Sequence, residues 1–136
     1  MTSDHIFTWE CEARDHEIDF QGRVNNIYYL VYMEHARYKH CKSLGVDFRE
    51  LHDRNFDLVL IRTEIDFKAS LGGTDEFIVT SKLGLMGKIR IVCNQQIIRK
   101  NDGKIMAEAK IIVVCIDRAS GRPVMPDEIK LKLNLK

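Results

Sequence analysis

A single long amphipathic stretch, set among segments that read as strands, limits this chain more than any other feature. Over residues 27–44, apolar side chains at Ile27, Leu30, Val31, Tyr38, Cys41 and Leu44 recur at three- and four-residue steps, one stripe of a helix of about five turns. Gly45 follows as a stop. Before the stretch, FTWECEARDHEI (7–18) alternates in the manner of a strand, with Phe7, Trp9, Cys11 and Ala13 on one side. After it comes a short helical turn at 48–53, then an alternating segment at 59–68 that the LGG of 71–73 breaks. Two further extended segments, 76–85 and 89–100, are joined by MGK, and Asn101, Asp102 and Gly103 signal a hairpin into 105–117. That last strand becomes apolar on both faces from Ile111, which predicts cover by the helix on one side and by a partner subunit on the other. GRPVMP then turns the chain into a short tail helix. With no second long helix to cover a sheet face, the lone helix buries its stripe only if the sheet curls around it. The expectation is an α+β fold, a curved antiparallel sheet of about five strands around one central helix.

The 136 residues and 45% hydrophobic composition suit one filled core, a single domain over 1–136. Twenty-one basic and 20 acidic residues give a formal charge of +1, without the basic excess of a nucleic-acid binder, so none is expected as partner. The four cysteines, Cys11, Cys41, Cys93 and Cys115, contain no CxxC pair, and the opening MTSDHIF lacks a charged start followed by an apolar core. Free thiols in a cytoplasmic protein are the expectation. The longest apolar run, 111–116, is far too short to cross a bilayer, so no membrane partner is expected.

The chemistry concentrates in DHEIDFQGRVNNIYYLVYMEHAR, residues 15–37. With Asn25 as helix cap, its side chain takes the N–H of the second or third helical residue and leaves that of Asn26 among the orphan donors of the first turn. The helix dipole reinforces that donor, so an oxyanion forming there would be stabilised by about 3 kcal/mol. Gly22 lets the backbone bend close, and Asp19, on the loop before the helix, reaches the same carbonyl carbon as a nucleophile or as a base for water. The plainer role for Asp19 is a helix-entry carboxylate that complements the dipole.

The pattern DxxGxVNNxxYxxxxExAR, carried by Asp19, Gly22, Val24, Asn25, Asn26, Tyr29, Glu34, Ala36 and Arg37, resembles the signature of hot-dog acyl-CoA thioesterases of the 4-hydroxybenzoyl-CoA thioesterase type. It is also similar to the plant acyl-ACP thioesterases. The strand order, the GGTDEF stretch and the late GRPVMP fall where such proteins have them, so the resemblance covers nearly the whole chain. It implies a hot-dog fold and hydrolysis of an acyl-CoA or acyl-carrier-protein thioester. It further implies a catalytic Asp19, a carbonyl polarised by the Asn26 backbone N–H, and substrate contacts at Gly22, Val24 and Tyr29. No cofactor is implied, coenzyme A being part of the substrate, and a homodimer or dimer of dimers is, with the pocket between subunits. Arg23 stands where many relatives carry histidine and Gln21 where the plant enzymes carry asparagine, so the plant catalytic network does not transfer. The competing reading is a hot-dog protein that binds acyl thioesters or plays a structural part without hydrolysis. A hydratase is disfavoured, because the aspartate and histidine pattern of those enzymes is not visible.

Other residues need weighing. Glu34 falls on the apolar stripe, where burial demands a partner, so a structural carboxylate held by backbone groups or Arg37 is the favoured role. His16, His35 and His40 raise the question of a metal, but HEID is not HExxH and histidines five apart share no helix face, so none is expected. Tyr28, Tyr29 and Tyr32 either line an acyl pocket or fill the core. Lys88 and Arg90, on one face of their strand beside the MGK turn, are the first candidates for the phosphates of coenzyme A, and Lys68 the third; the ordinary alternative is a solubilising edge charge.

Overall fold

A computed structural model describes residues 5–136; the opening residues 1–4, part of the stretch searched for a targeting signal, lie outside the described residues. The chain runs β1 (Phe7–Glu12), a 3-10 turn (Asp15–Glu17), α1 (Ile27–Ser43), α2 (Phe48–Asp53), β2 (Phe56–Phe67), β3 (Glu76–Met86), β4 (Arg90–Arg99), β5 (Ile105–Asp117), β6 (Arg122–Val124) and α3 (Asp127–Lys132). The strands make one antiparallel sheet in the order β1-β3-β4-β5-β2, with β6 added to β5. This is the hot-dog arrangement expected, with α1 as the filling. Gly45, in the left-handed region at φ +91°, lets the chain leave α1, and Asp47 starts α2 by accepting hydrogen bonds from the Arg49 and Glu50 N–H groups.

The helix buries a different stripe from the one expected. Tyr29, Tyr32, Met33, Ala36 and His40 face the sheet, packed with Phe77, Val79, Cys93 and Ile97, whereas of the expected stripe Cys41 is buried, Leu44 is half-buried, and Ile27, Leu30, Val31 and Tyr38 are exposed. Glu34 is exposed with them, which overturns its expected burial. The cause lies in the composition: Ile27 to Met33 is apolar or aromatic at every position, so spacing does not select a face, and the sheet takes the one that lets Ala36 approach closely. Met33, with no exposed surface, sits at the middle of this contact. Met33→Ala should lower unfolding stability by about 2–5 kcal/mol, read as a fall in urea midpoint at constant slope.

Strand β5 follows its expected bounds, but Ile112 and Val114, on the face away from the core cluster, are already buried at 5% and 6% exposure within one chain. Its second apolar face therefore needs no partner. Of the two edge strands, β1 and β2, the longer is β2, twelve residues long, bonded only to β5 and carrying exposed Val59, Leu60, Ile61 and Phe67.

Two polar groups cross the core. Gln95 donates from Nε2 to the Met33 carbonyl (2.9 Å) and accepts from Arg37 (3.0 Å), tying helix to sheet. His40, stacked on Phe7, meets the Ser81 hydroxyl at 3.0 Å, and that hydroxyl meets the Cys93 thiol at 3.1 Å. Burial, followed by the charge of His5, lowers His40 to about 4, so the folded chain holds a neutral ring that the unfolded chain protonates below about 6.5. Between those limits the unfolded state binds the extra proton. Stability contributed by the neutral ring is therefore complete above about 6.5 and is lost as pH falls toward 4. Chemical denaturation at pH 5 and pH 7.5 should show a smaller pH-dependent loss in His40→Gln than in the parent chain.

Candidate active site

The turn that carries Asp19 is built from main-chain bonds. The Asp19 N–H donates to the Arg23 carbonyl (2.8 Å) and the Gly22 N–H to the Asp19 carbonyl (3.0 Å). Asp19 Oδ1 accepts from the N–H groups of Gln21 (2.9 Å) and Arg23 (3.1 Å), while Oδ2 has no partner among the described residues. Gly22 closes the turn at φ +78°, a conformation that costs a side-chain-bearing residue about 1–2 kcal/mol.

Several anchors fix this turn to the body. Bridges join Ile18 to Val24 and Arg23 to Gly72; Val24 donates to the Leu71 carbonyl (2.9 Å) and Gly73 to the Gly22 carbonyl (2.8 Å). Beneath it, the buried Glu17 takes hydrogen bonds on Oε1 from the Arg14 N–H (2.8 Å) and the Tyr32 hydroxyl (2.7 Å). Burial and then this carboxylate raise the Tyr32 phenol far above its ordinary range, so it stays a donor. Tyr29 lies in the core at 1% exposure, its hydroxyl accepting from the Leu71 N–H (2.7 Å) and donating to the Ala69 carbonyl (3.3 Å). What Tyr29 does for the site, it does through the 69–71 segment.

At the helix start, Asn25 Oδ1 accepts from the Ile27 N–H (3.2 Å), and Asn26 already has helical dihedrals. The Asn25 N–H goes to the Glu17 carbonyl (2.9 Å), and the Asn26 N–H has no acceptor among the described residues. Asp19, Val24 and Asn26, with Gln21, Arg23, Asn25 and Ser70, line one open concavity of about 300 Å³. A carboxyl-bearing residue and the first residues of a helix thus border the same space, the two elements that acyl transfer to water requires. A larger cavity of about 780 Å³ lies on the β1 flank of α1, but Glu10, Glu12, Asp15, Glu17 and Glu76 in its wall make it poorly suited to a polyanionic ligand.

The family model of the thioesterase-like superfamily matches residues 13–133. The chain belongs to that superfamily. It is 30% identical over 124 residues to the acyl-acyl carrier protein thioesterase ATL3 of Arabidopsis thaliana, covering 90% of this chain and 65% of the relative. A second Arabidopsis relative is covered to 64%, so the chain spans about two thirds of the length of these proteins. The long-chain acyl-CoA thioesterase FadM of Escherichia coli is 25% identical over 125 residues, which cover 91% of this chain and 94% of FadM. The crystal structure of a 1,4-dihydroxy-2-naphthoyl-CoA thioesterase from Synechocystis superposes with a TM-score of 0.88 at 20% identity, covering 96% of each chain. That likeness confirms the fold.

The remaining candidates of this thioesterase-like chain are scattered. Lys88 lies in the β3–β4 hairpin turn and Arg90 opens β4, both exposed, while the Asp19 turn adjoins the other end of β3, roughly 30 Å away at the usual strand rise. Within one chain they do not meet Asp19. Lys68, at the Asp19 end, is 3.6 Å from Glu108. The cation in the concavity is Arg23, singled out from sequence only as a departure from the family pattern. Glu17, which closes the 3-10 turn and is buried, was not singled out from sequence, since no local pattern marks its burial. His16 faces the Tyr28 ring, His35 the Trp9 ring, and among the described residues no three His, Cys, Asp or Glu side chains converge as a metal site.

Proposed function

We propose that this chain hydrolyses an acyl-CoA or acyl-carrier-protein thioester, with Asp19 as nucleophile or general base and the carbonyl held by the Asn26 N–H. The observation that carries the reading is the shared concavity lined by Asp19 and Asn26, two residues whose Oδ2 and backbone N–H are left unengaged among the described residues. Superfamily membership and the activities for which ATL3 and FadM are named support thioester hydrolysis as the reaction class. Gly22 and Val24 shape the concavity, and Arg23 supplies the nearest positive charge for the phosphates of a coenzyme or carrier. No cofactor is needed for such a step.

The working unit in this reading is a homodimer joined along β2. An exposed apolar edge of twelve residues is a template for pairing with a second copy, and a two-fold axis gives both copies the same contact. The four free cysteines fit a reducing, cytoplasmic setting, and no helix among the described residues is long and apolar enough to cross a membrane. Release of free thiol from a panel of acyl-CoAs tests the reading. Saturable binding of the same compounds with no thiol release would establish the non-hydrolytic competitor.

A further inference from the structure

The concavity at the Asp19 turn has one wall residue from outside the 19–26 stretch, Ser70. It lies in the segment that leaves β2, between Ala69, which packs against the core, and Leu71, which has no exposed surface. Its neighbours turn inward, and Ser70 itself is exposed. The Ser70 hydroxyl makes no hydrogen bond among the described residues.

The backbone on either side of Ser70 is fixed. The N–H groups of Lys68 and Ala69 both donate to the Met106 carbonyl (2.9 and 3.1 Å), and the Leu71 carbonyl accepts from the Val24 N–H (2.9 Å). The Tyr29 hydroxyl spans the residue between, donating to the Ala69 carbonyl (3.3 Å) and accepting from the Leu71 N–H (2.7 Å). Tyr29 belongs to the first turn of α1, so one phenol ties Ser70 to the helix start at Asn26. The other polar side chains of the concavity are worse prepared to act as donors. Gln21 and Arg23 have several rotatable bonds, and the Asn25 side chain is turned to the Ile27 N–H (3.2 Å). A serine hydroxyl on a fixed backbone has little freedom to lose.

A carbonyl oxygen offers two lone pairs, and the Asn26 N–H satisfies one of them. As Asp19 or water adds to the thioester carbon, an electron pair of the C=O bond moves onto that oxygen, and a second fixed donor gains most at that moment. We propose that Ser70 is a catalytic residue of this site, donating its hydroxyl hydrogen to the thioester carbonyl oxygen beside the Asn26 N–H. The inference rests on the thioesterase reading above and adds to it a residue that lies outside the DxxGxVNNxxY pattern.

Kinetics and a spectrum test it together. Ser70→Ala should lower kcat for the best acyl-CoA about ten- to a hundredfold, the usual worth of a hydrogen bond to a charged group, with KM little changed. Its melting temperature should not move, because the residue is exposed. Ser70→Thr keeps the donor and should stay within a few-fold of the parent rate. The second readout needs no turnover: a ketone analogue of acyl-CoA, with a methylene in place of sulfur and a carbon-13 carbonyl, should show its carbonyl stretch at lower wavenumber when bound to the parent chain or to Ser70→Thr. Ser70→Ala should lose part of that shift. Unchanged kcat and an unchanged shift in Ser70→Ala would overturn the proposal, while thiol release by the parent chain leaves the hydrolytic reading standing. Equal losses in Ser70→Ala and Ser70→Thr overturn it as well, since the hydroxyl would then not be the cause. If the parent chain releases no thiol yet shifts the ketone band, and Ser70→Ala loses that shift, the hydrolytic reading fails and the contact of Ser70 with the carbonyl holds.

Discussion

Asp19→Asn is expected to cut thiol release from the best acyl-CoA by a factor of about 10²–10⁴ with little change in melting temperature. The amide is isosteric with the carboxylate but has no ionised oxygen, so it serves neither as nucleophile nor as base. Its carbonyl oxygen still accepts from the Gln21 and Arg23 N–H groups, so the turn persists. That separation makes the variant informative, because with the turn preserved a merely structural Asp19 would keep its rate and a catalytic one would lose it. Turnover within a factor of a few of the parent chain would remove Asp19 from the chemistry. Single turnover in heavy-oxygen water then bears on the two roles: label in the Asp19 carboxylate identifies an anhydride opened by water at its aspartyl carbon, whereas a general-base route leaves label only in the released acid.

The second large effect concerns the β2 edge. Ile61, at the bulge between Leu60 and Arg62, is 49% exposed in the single chain, so Ile61→Asp costs the isolated fold little. In a dimer joined along β2 the same change places two like charges at the axis of an apolar contact, and one buried unpaired charge is enough to prevent association. Size-exclusion chromatography with light scattering should show the variant as a monomer with parent-like circular dichroism. Activity should fall at least tenfold with it where the pocket lies between subunits, as the resemblance to the family implies. A variant that stays dimeric places the contact elsewhere.

The sequence made the elements readable where a local rule was strong. The Asn101-Asp102-Gly103 hairpin, the Gly45 stop and strands β2 to β5 lie within a few residues of their expected bounds, because each is set by its own turn chemistry or alternation, whereas β1, expected over 7–18, stops at Glu12 ahead of the 3-10 turn at Asp15–Glu17. The helix face was not readable, because seven successive apolar or aromatic residues erase the period and only the sheet decides. Strand β6 was missed, since a three-residue strand with proline in it has no pattern of its own and exists by pairing with Cys115–Asp117. For the site, DxxG followed by VNN located the turn and the helix start, both local features. Lys88 and Arg90 failed to join them within the chain because charge beside a hairpin says nothing about which end of the sheet that hairpin occupies. Glu17 hid for the opposite reason: its burial depends on Tyr32, fifteen positions away on another element.

The Asp19 turn owes its shape to its own amide groups, to Gly22 and to the Glu17 platform, none of which asks anything of the side chains of Phe20, Gln21 or Arg23. Those three project from the rim as interchangeable fittings on a rigid frame. Substitutions there can therefore alter the chemistry of the rim one position at a time, leaving the Asp19 carboxylate where it is and the folded state undisturbed.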